Sequence, residues 1–325
     1  MAPDPFGWVL HDGKAGMSSQ ALGLAEASGL AFTEKRLDIR FPWSCLPPLL
    51  WAAPLRAAGS AGADLEAPWP DFIVACGRNA AMPALAIRRA SGGRTLTALI
   101  QNPGIGRDEP DLAIVPEHDR RHGPRVVVTR GAVHRVNPER LAAARGRFPG
   151  LAAMPRPILA VLIGGSNKAY RLTRRRLAEI AEAVAALLCE RGGSALVTPS
   201  RRTGANGLAL LQQRLAGLSA AIWDGVAENP YFAYLALADA FLVTADSVSM
   251  ISEAAATGKP VHILGLDGGN VKFARFHQSM QHAGITRPFA GRIEEWSYPV
   301  PDDTARAAAA LRALVLGRLD RRERA

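Results

Sequence analysis

Two short stretches hold residue types that could grip a phosphorylated ligand. Gly164-Gly165-Ser166-Asn167-Lys168 stands between the apolar run 158–163 and a helical pattern over 173–191. Glycines at such a place let backbone amides approach an anion, and the helix start adds positive potential. The spacing matches neither Gly-x-x-x-x-Gly-Lys-Ser/Thr nor Gly-x-Gly-x-x-Gly, so a plain strand-to-helix turn competes with a phosphate seat. The second stretch is 243–261, where a strand ends in Thr244-Ala245-Asp246-Ser247-Val248-Ser249, Glu253 falls in the first turns of a helix, and Gly258 with Pro260 stops that helix. Ligands of open α/β sheets sit beyond the carboxyl ends of the strands, so these hydroxyls suit phosphate and the Glu253 carboxylate suits ribose hydroxyls. The same residues also suit capping, with Ser247 or Ser249 as N-cap and Glu253 favoured by the helix dipole.

Such turns need strands to leave and helices to enter. In the first half, strand patterns at 8–10, 32–39, 72–76, 95–101, 111–115 and 125–129 accompany helical ones near 18–28 and 80–89. Pro138, Pro149, Pro155 and Pro157, with Gly146 and Gly150 among them, then punctuate the chain. A boundary near Leu151 is expected, giving domains of 1–150 and 151–325. The second half repeats the grammar, with strands at 158–163, 195–198, 221–223, 240–244 and 261–264, helices at 173–191, 208–218, 231–238 and 250–257, and a closing helix at 304–319. The expected class is α/β, as two doubly wound, Rossmann-like domains.

The 325 residues exceed what one ordinary core fills, and 48% hydrophobic with 21% charged residues excludes intrinsic disorder. Pro, Gly or Arg interrupts every apolar stretch before the roughly 18–20 residues a spanning helix needs. The first eight residues carry no basic residue and no apolar run of leader length, so a cytoplasmic protein is expected. Cys45, Cys76 and Cys189 form no Cys-x-x-Cys pair, and the seven His show no ligand spacing, so neither a disulfide framework nor a bound metal is expected. Lys and Arg outnumber Asp and Glu by 39 to 29, and this net charge of +10 favours anionic partners. Nucleic acid is not expected among them: the basic residues are scattered, and aromatic residues to stack on bases are only 6%.

The stretch 244–260, together with His11-Asp12-Gly13-Lys14-Ala15-Gly16, Ser200-Arg201-Arg202-Thr203 and Lys272-Phe273-Ala274-Arg275-Phe276-His277, resembles the mitochondrial fission ELM family over nearly the whole chain. Its bacterial members are commonly treated as glycosyltransferases, and the family resembles two-domain GT-B nucleotide-sugar transferases such as MurG. The resemblance implies two domains facing a cleft and a nucleotide-diphosphate sugar as co-substrate, with no further cofactor. On it, Gly164, Gly165 and Ser166 face the diphosphate, with Asn167 and Lys168 completing the turn, and Ser247, Ser249 and Glu253 meet the diphosphate and ribose. Ser200, Arg201 and Arg202 follow a strand and can neutralise the diphosphate, although paired arginines are commonly plain surface residues. The glycine-rich, His-bearing loop of MurG-type enzymes is replaced by the loop of His11, Asp12, Gly13 and Lys14, placed on the acceptor side. Sugar transfer needs a base for the acceptor hydroxyl. Asp12 on the first βα loop is that candidate, with an Asx turn before Gly13 as its other role. Lys14 suits an anionic acceptor or donor group, or is a solvated lysine. Asp-x-Asp is absent, so no metal is implied.

The segment from Phe41 to Leu55 holds Trp43, Trp51 and several leucines and is followed by Arg56. Aromatic rings beside a cation suit the headgroup boundary of an anionic membrane, on its inner face, where a lipid-linked or other envelope acceptor would lie. Four prolines forbid one regular helix there, and burial as a satellite core is the alternative. Dinucleotide-dependent and nucleophile-elbow enzymes lack their motifs here. A non-catalytic adaptor on the same fold is the main rival, because plant relatives of the family are linked to recruiting a dynamin-type GTPase.

Overall fold

A computed structural model describes residues 4–47, 50–58, 65–101 and 110–323. The chain divides into two compact units, Met1–Arg135 with Asp302–Ala325, and Val136–Pro301. In the first unit β1 (Phe6–His11), α1 (Ala15–Ser28), β2 (Ala31–Arg36), α2 (Pro54–Ala57), β3 (Phe72–Cys76), α3 (Arg78–Ala90), β4 (Leu96–Ile100), β5 (Leu112–Pro116) and β6 (Val126–Thr129) form a parallel sheet of order β2-β1-β3-β4-β5-β6 with its helices. β3 and β4 are buried along their whole length, as continuous apolar strands covered on both faces must be. Side chains alternate across the pleat: Val9, Val74 and Ala98 join one core with Leu24 and Ala25 of α1, while Leu10, Ile73 and Leu99 join another with Ala84, Leu85 and Ile87 of α3. Each fully buried Leu, Ile or Val contributes about 1.5–3 kcal/mol.

The second unit contains α4 (Pro138–Arg147), α5 (Pro149–Ala152), β7 (Ile158–Ile163), β8 (Tyr170–Arg171), α6 (Arg174–Arg191), β9 (Ser194–Pro199), α7 (Gly204–Arg214), β10 (Ala220–Ile222), α8 (Tyr231–Leu237), β11 (Ala240–Thr244), α9 (Val248–Ala255), β12 (Val261–Leu264), β13 (Asp267–Gly268), α10 (Val271–His282) and β14 (Thr286–Pro288). Its main sheet is parallel, in the order β10-β9-β7-β11-β12-β14, and β8 and β13 make a small antiparallel ladder. Leu159, Val161 and Ile163 pack with α6 and α7, while Ala160 and Leu162 pack with α8, α9 and α10. Both units are doubly wound, and each reverses its strand order once, between β1 and β3 and between β7 and β11.

Three features differ from the sequence reading. The division falls between Arg135 and Val136 rather than near Leu151. Two of the four prolines taken as punctuation, Pro138 and Pro149, instead start helices: Pro138 occupies the first turn of α4, capped by Asn137 Oδ1, which accepts from Arg140 N–H at 2.7 Å. The closing helix, α11 (Asp303–Glu323), belongs to the first unit, where Ala307, Ala308, Leu311 and Val315 complete the core around α1. Asp303 fixes its start, accepting from the N–H groups of Arg130 and Gly131 at 2.9 Å each.

Candidate functional site

In the first unit the loop after β1 is built on His11. Its buried ring accepts from Gly13 N–H through Nδ1 at 3.1 Å and gives Nε2–H to Glu34 Oε1 at 2.8 Å. Asp12 emerges from that loop half-buried. Its Oδ2 pairs with Lys14 Nζ and accepts from Asn79 Nδ2 at 3.1 Å, and its Oδ1 accepts from Lys14 N–H at 3.4 Å, which is the turn geometry foreseen as its other role. Burial pushes the Asp12 carboxyl up, but the hydrogen bonds and charge of Lys14 and the Asn79 amide outweigh it and hold the group below the usual carboxylate value. Asp12 is therefore an ionised hydrogen-bond acceptor and a weaker base than a carboxylate tuned toward neutrality. Beside it, at the switch point between β1 and β3, lies a cavity of about 400 Å³ whose walls include Asp12, Lys14, Met17, Arg78, Asn79 and Gln101.

In the second unit the turn after β7 is locked to the loop after β11. Gly164 N–H donates to Thr244 Oγ1 at 2.8 Å, and Gly165 N–H donates to Asp246 Oδ2 at 3.0 Å. The Asp246 side chain has 0% exposure and also receives Arg202 Nη2 at 2.8 Å. Arg202 Nη1 donates to Gly165 O at 2.8 Å, and the Ser200 hydroxyl donates to Gly164 O. A Cβ on Gly164 would stand 2.3 Å from Asp246 Oδ2, and one on Gly165 would stand 2.6 Å from Arg202 Cβ. Close approach thus dictates both glycines. Their amides, expected to face a diphosphate, are engaged by a hydroxyl and an internal carboxylate, because a buried carboxylate needs donors around it.

The remaining predicted residues lie around this knot. Ser166, Asn167, Lys168 and Arg201 are exposed. Ser166 Oγ accepts from Leu172 N–H at 3.0 Å, and Asn167 Oδ1 accepts from the N–H groups of Ala169 and Tyr170 at 2.7 and 2.8 Å. Ser247 caps α9, accepting from Met250 N–H at 3.4 Å, and Ser249 is half-buried in its first turn. Glu253 is buried, and its Oε2 accepts from Tyr231 O–H at 2.6 Å. Burial first, and then the Glu253 charge, push the Tyr231 phenol well above its ordinary value.

Sequence reasoning passed over Asn79, Gln101, Asp246, Tyr231 and the role of His277. Asn79 and Asp246 had a signal, since each follows an apolar strand by two or three residues. Gln101 had none. His277, on the unforeseen α10, gives Nε2–H to Ala245 O at 2.9 Å, and burial lowers its pKa. Of the apolar segment 41–55, Pro48 and Leu49 lie outside the described residues. Trp51 is buried and donates Nε1–H to Leu46 O at 3.2 Å, and Trp43 packs on the α3 core, so both tryptophans belong to satellite core rather than to an outward face. Phe41 and Leu50 are 80% and 60% exposed. Among the described residues no group of three His, Cys, Asp or Glu could hold a metal ion, and no helix is long and apolar enough to cross a membrane.

Two doubly wound units, each with polar loops gathered at its switch point, define a GT-B-like α/β protein. The solved structure of UDP-GlcNAc 2-epimerase from Methanocaldococcus jannaschii in complex with UDP-GlcNAc and UDP is similar in fold, with a TM-score of 0.54 at 10% identity over 94% of this chain and 99% of that one. A UDP-glucosyltransferase from Polygonum tinctorium capable of glucosylating indoxyl gives 0.50 at 14% identity over 98% and 94%. The chain belongs to the mitochondrial fission ELM1 family, whose model matches residues 15–315. Mitochondrial fission protein ELM1 of Arabidopsis thaliana is 34% identical over 271 residues, which are 75% of this chain and 63% of the plant protein. This chain thus spans less than two thirds of that relative's length.

Proposed function

We propose that the protein transfers a sugar from a nucleoside-diphosphate donor, held by the second unit, to a hydroxyl-bearing acceptor met by the first. The observation that carries this is the recurrence of one arrangement at both switch points: strand ends that present a carboxylate paired with a cation where open α/β sheets receive ligands, joined in the second unit by the hydroxyls of Ser200 and Thr244. The nucleotide-sugar complexes among the fold's neighbours support it as analogy. With the Gly164 and Gly165 amides engaged, the diphosphate falls to the exposed rim: Ser166, Asn167, Lys168, Arg201, the outer face of Arg202, and the start of α9 with Ser247 and Ser249. Glu253, oriented by Tyr231, accepts from the ribose. Ser200 holds the Gly164 turn in shape. Asp12 accepts the proton of the acceptor hydroxyl as the diphosphate leaves, and arginines rather than a metal balance the charge of the leaving group. Calorimetric titration with uridine, guanosine, thymidine, cytidine and adenosine diphosphate sugars tests this. Saturable binding of one of them is expected, and binding of none would leave the adaptor reading.

The exposure of Phe41 and Leu50, close to Arg40 and Arg56 in sequence, supports a second proposal, contact with an anionic membrane surface carrying the acceptor. Wild type should co-sediment with anionic vesicles at low salt, and a Phe41→Ser, Leu50→Ser double variant should not. Equal sedimentation of the two would remove this face from the account.

A further inference from the structure

The cavity of the first unit is lined by one ionised carboxylate, two cations and two amide side chains, a combination that no element of the sheet requires for packing. It lies where β1, β3 and β4 all end, at the switch point, and its volume falls in the range of about 300–1,000 Å³ typical of small-molecule sites. The unit holds that wall in place at a cost. Gln101, a residue with a Cβ, sits at φ 69°, the left-handed region that ordinary side chains rarely adopt. Asn79 gives its Nδ2–H to Asp12 while its own Oδ1 is buried with no partner among the described residues. Turning the amide over would set its oxygen against the carboxylate, so the orientation that supports Asp12 is kept although one carbonyl goes unsatisfied. Strain and an orphaned polar atom gathered at one cavity mark a preorganised binding site rather than a by-product of folding.

The geometry points to a phosphorylated sugar as the occupant, one hydroxyl donating to Asp12 and the phosphate lying between Arg78 and Lys14. Asp12, held ionised, can only accept, so the group opposite it is an O–H or N–H donor. Lys14 spends one ammonium proton on Asp12 and keeps two, and the exposed guanidinium of Arg78 has, among the described residues, one hydrogen bond, to Ser44 O at 3.4 Å. The carboxylate cancels one of the two cations, so the wall carries a net positive charge next to a hydroxyl acceptor. Met17 supplies the apolar surface on which a sugar ring's C–H face rests. As an acceptor site this rests on the transfer reading, and as a sugar-phosphate site it stands on the cavity alone.

The test is calorimetric titration of the full chain with glucose 1-phosphate, N-acetylglucosamine 1-phosphate, glucose and inorganic phosphate. At least one sugar phosphate should bind about 10-fold or more tightly than either glucose or inorganic phosphate. Arg78→Gln, at an exposed position, should weaken the sugar phosphate about 10-fold or more, and Asp12→Asn should weaken the sugar phosphate but not inorganic phosphate. Vesicles carrying phosphatidylinositol, compared with free inositol 1-phosphate, distinguish a lipid headgroup from a free sugar phosphate as the source. No preference for the joined molecule, or a loss that follows Arg202→Gln instead of Arg78→Gln, would overturn the site. Sugar-phosphate binding in a protein that takes no nucleotide sugar would keep this site and end the transfer reading, whereas the reverse result would end this inference alone.

Discussion

At the residue scale the two sites use carboxylates in opposite ways. Asp12 is partly exposed, ionised and held by Lys14 and Asn79, whereas Asp246 is fully enclosed and serves as an internal anion for Gly165 and Arg202. In the transfer reading Asp12→Asn keeps the turn and should lower turnover by about 10² to 10⁴ with donor affinity unchanged. Because Lys14 and Asn79 hold the Asp12 pKa down, the rate should stay level from neutrality to below about pH 4 and fall only as the pH drops through the depressed value. A variant that loses stability yet keeps its turnover per folded molecule would make Asp12 a turn residue only. Arg202→Met leaves the enclosed Asp246 with Gly165 N–H as its remaining described donor, and chemical denaturation should show a loss of about 3 kcal/mol. An unchanged unfolding midpoint would mean that the pair contributes nothing to the fold. None of this pairing was legible in the sequence, since Gly165 and Asp246 are 81 positions apart and the motif suggested a free phosphate seat.

At the element scale, strand-to-helix alternation was readable because central parallel strands such as β7 and β3 are unbroken apolar runs. Elements carried by one-sided or short patterns were not: α4 hid behind its prolines, and α10 and β14 are mostly exposed. The home of α11 was equally hidden, because an Ala-rich helix packs on any small-residue face, and the Asp303 clamp, the α1 core and the hydrogen bonds of Arg312 and Arg318 to Ser28 O and Gly93 O decide it. A second tie binds α3 to the entry of β5, where Arg88 grips Asp111 through two hydrogen bonds of 2.9 and 3.1 Å and Thr97 N–H adds a third at 3.0 Å. Burial raises the Asp111 pKa, but these donors together lower it below the usual value. A depressed carboxyl stabilises above its unfolded value, and that stabilisation is lost as the pH falls through the folded one. Asp111→Asn should therefore cost about 1.5–3 kcal/mol at pH 7, and its gap to wild type should close as the pH drops below about 4 in urea denaturation. A gap that does not change with pH would assign the effect to packing.

For the whole molecule, family and fold were legible from motifs whose order the chain preserves, and the comparisons bear them out. The site was legible as places, the loops at two switch points, but not as partners, since strand ends show in a sequence and the side chains that meet across a sheet do not. What the account claims above all is that the second unit holds a nucleoside-diphosphate sugar. The most direct measurement is titration of the full chain with the five nucleotide sugars, followed by the same titration of Glu253→Ala. The account predicts saturable binding of one nucleotide, weakened in the variant by about 1–3 kcal/mol while Arg78→Gln leaves it unchanged. Failure of all five to bind folded wild-type protein, or equal binding by Glu253→Ala, would contradict it.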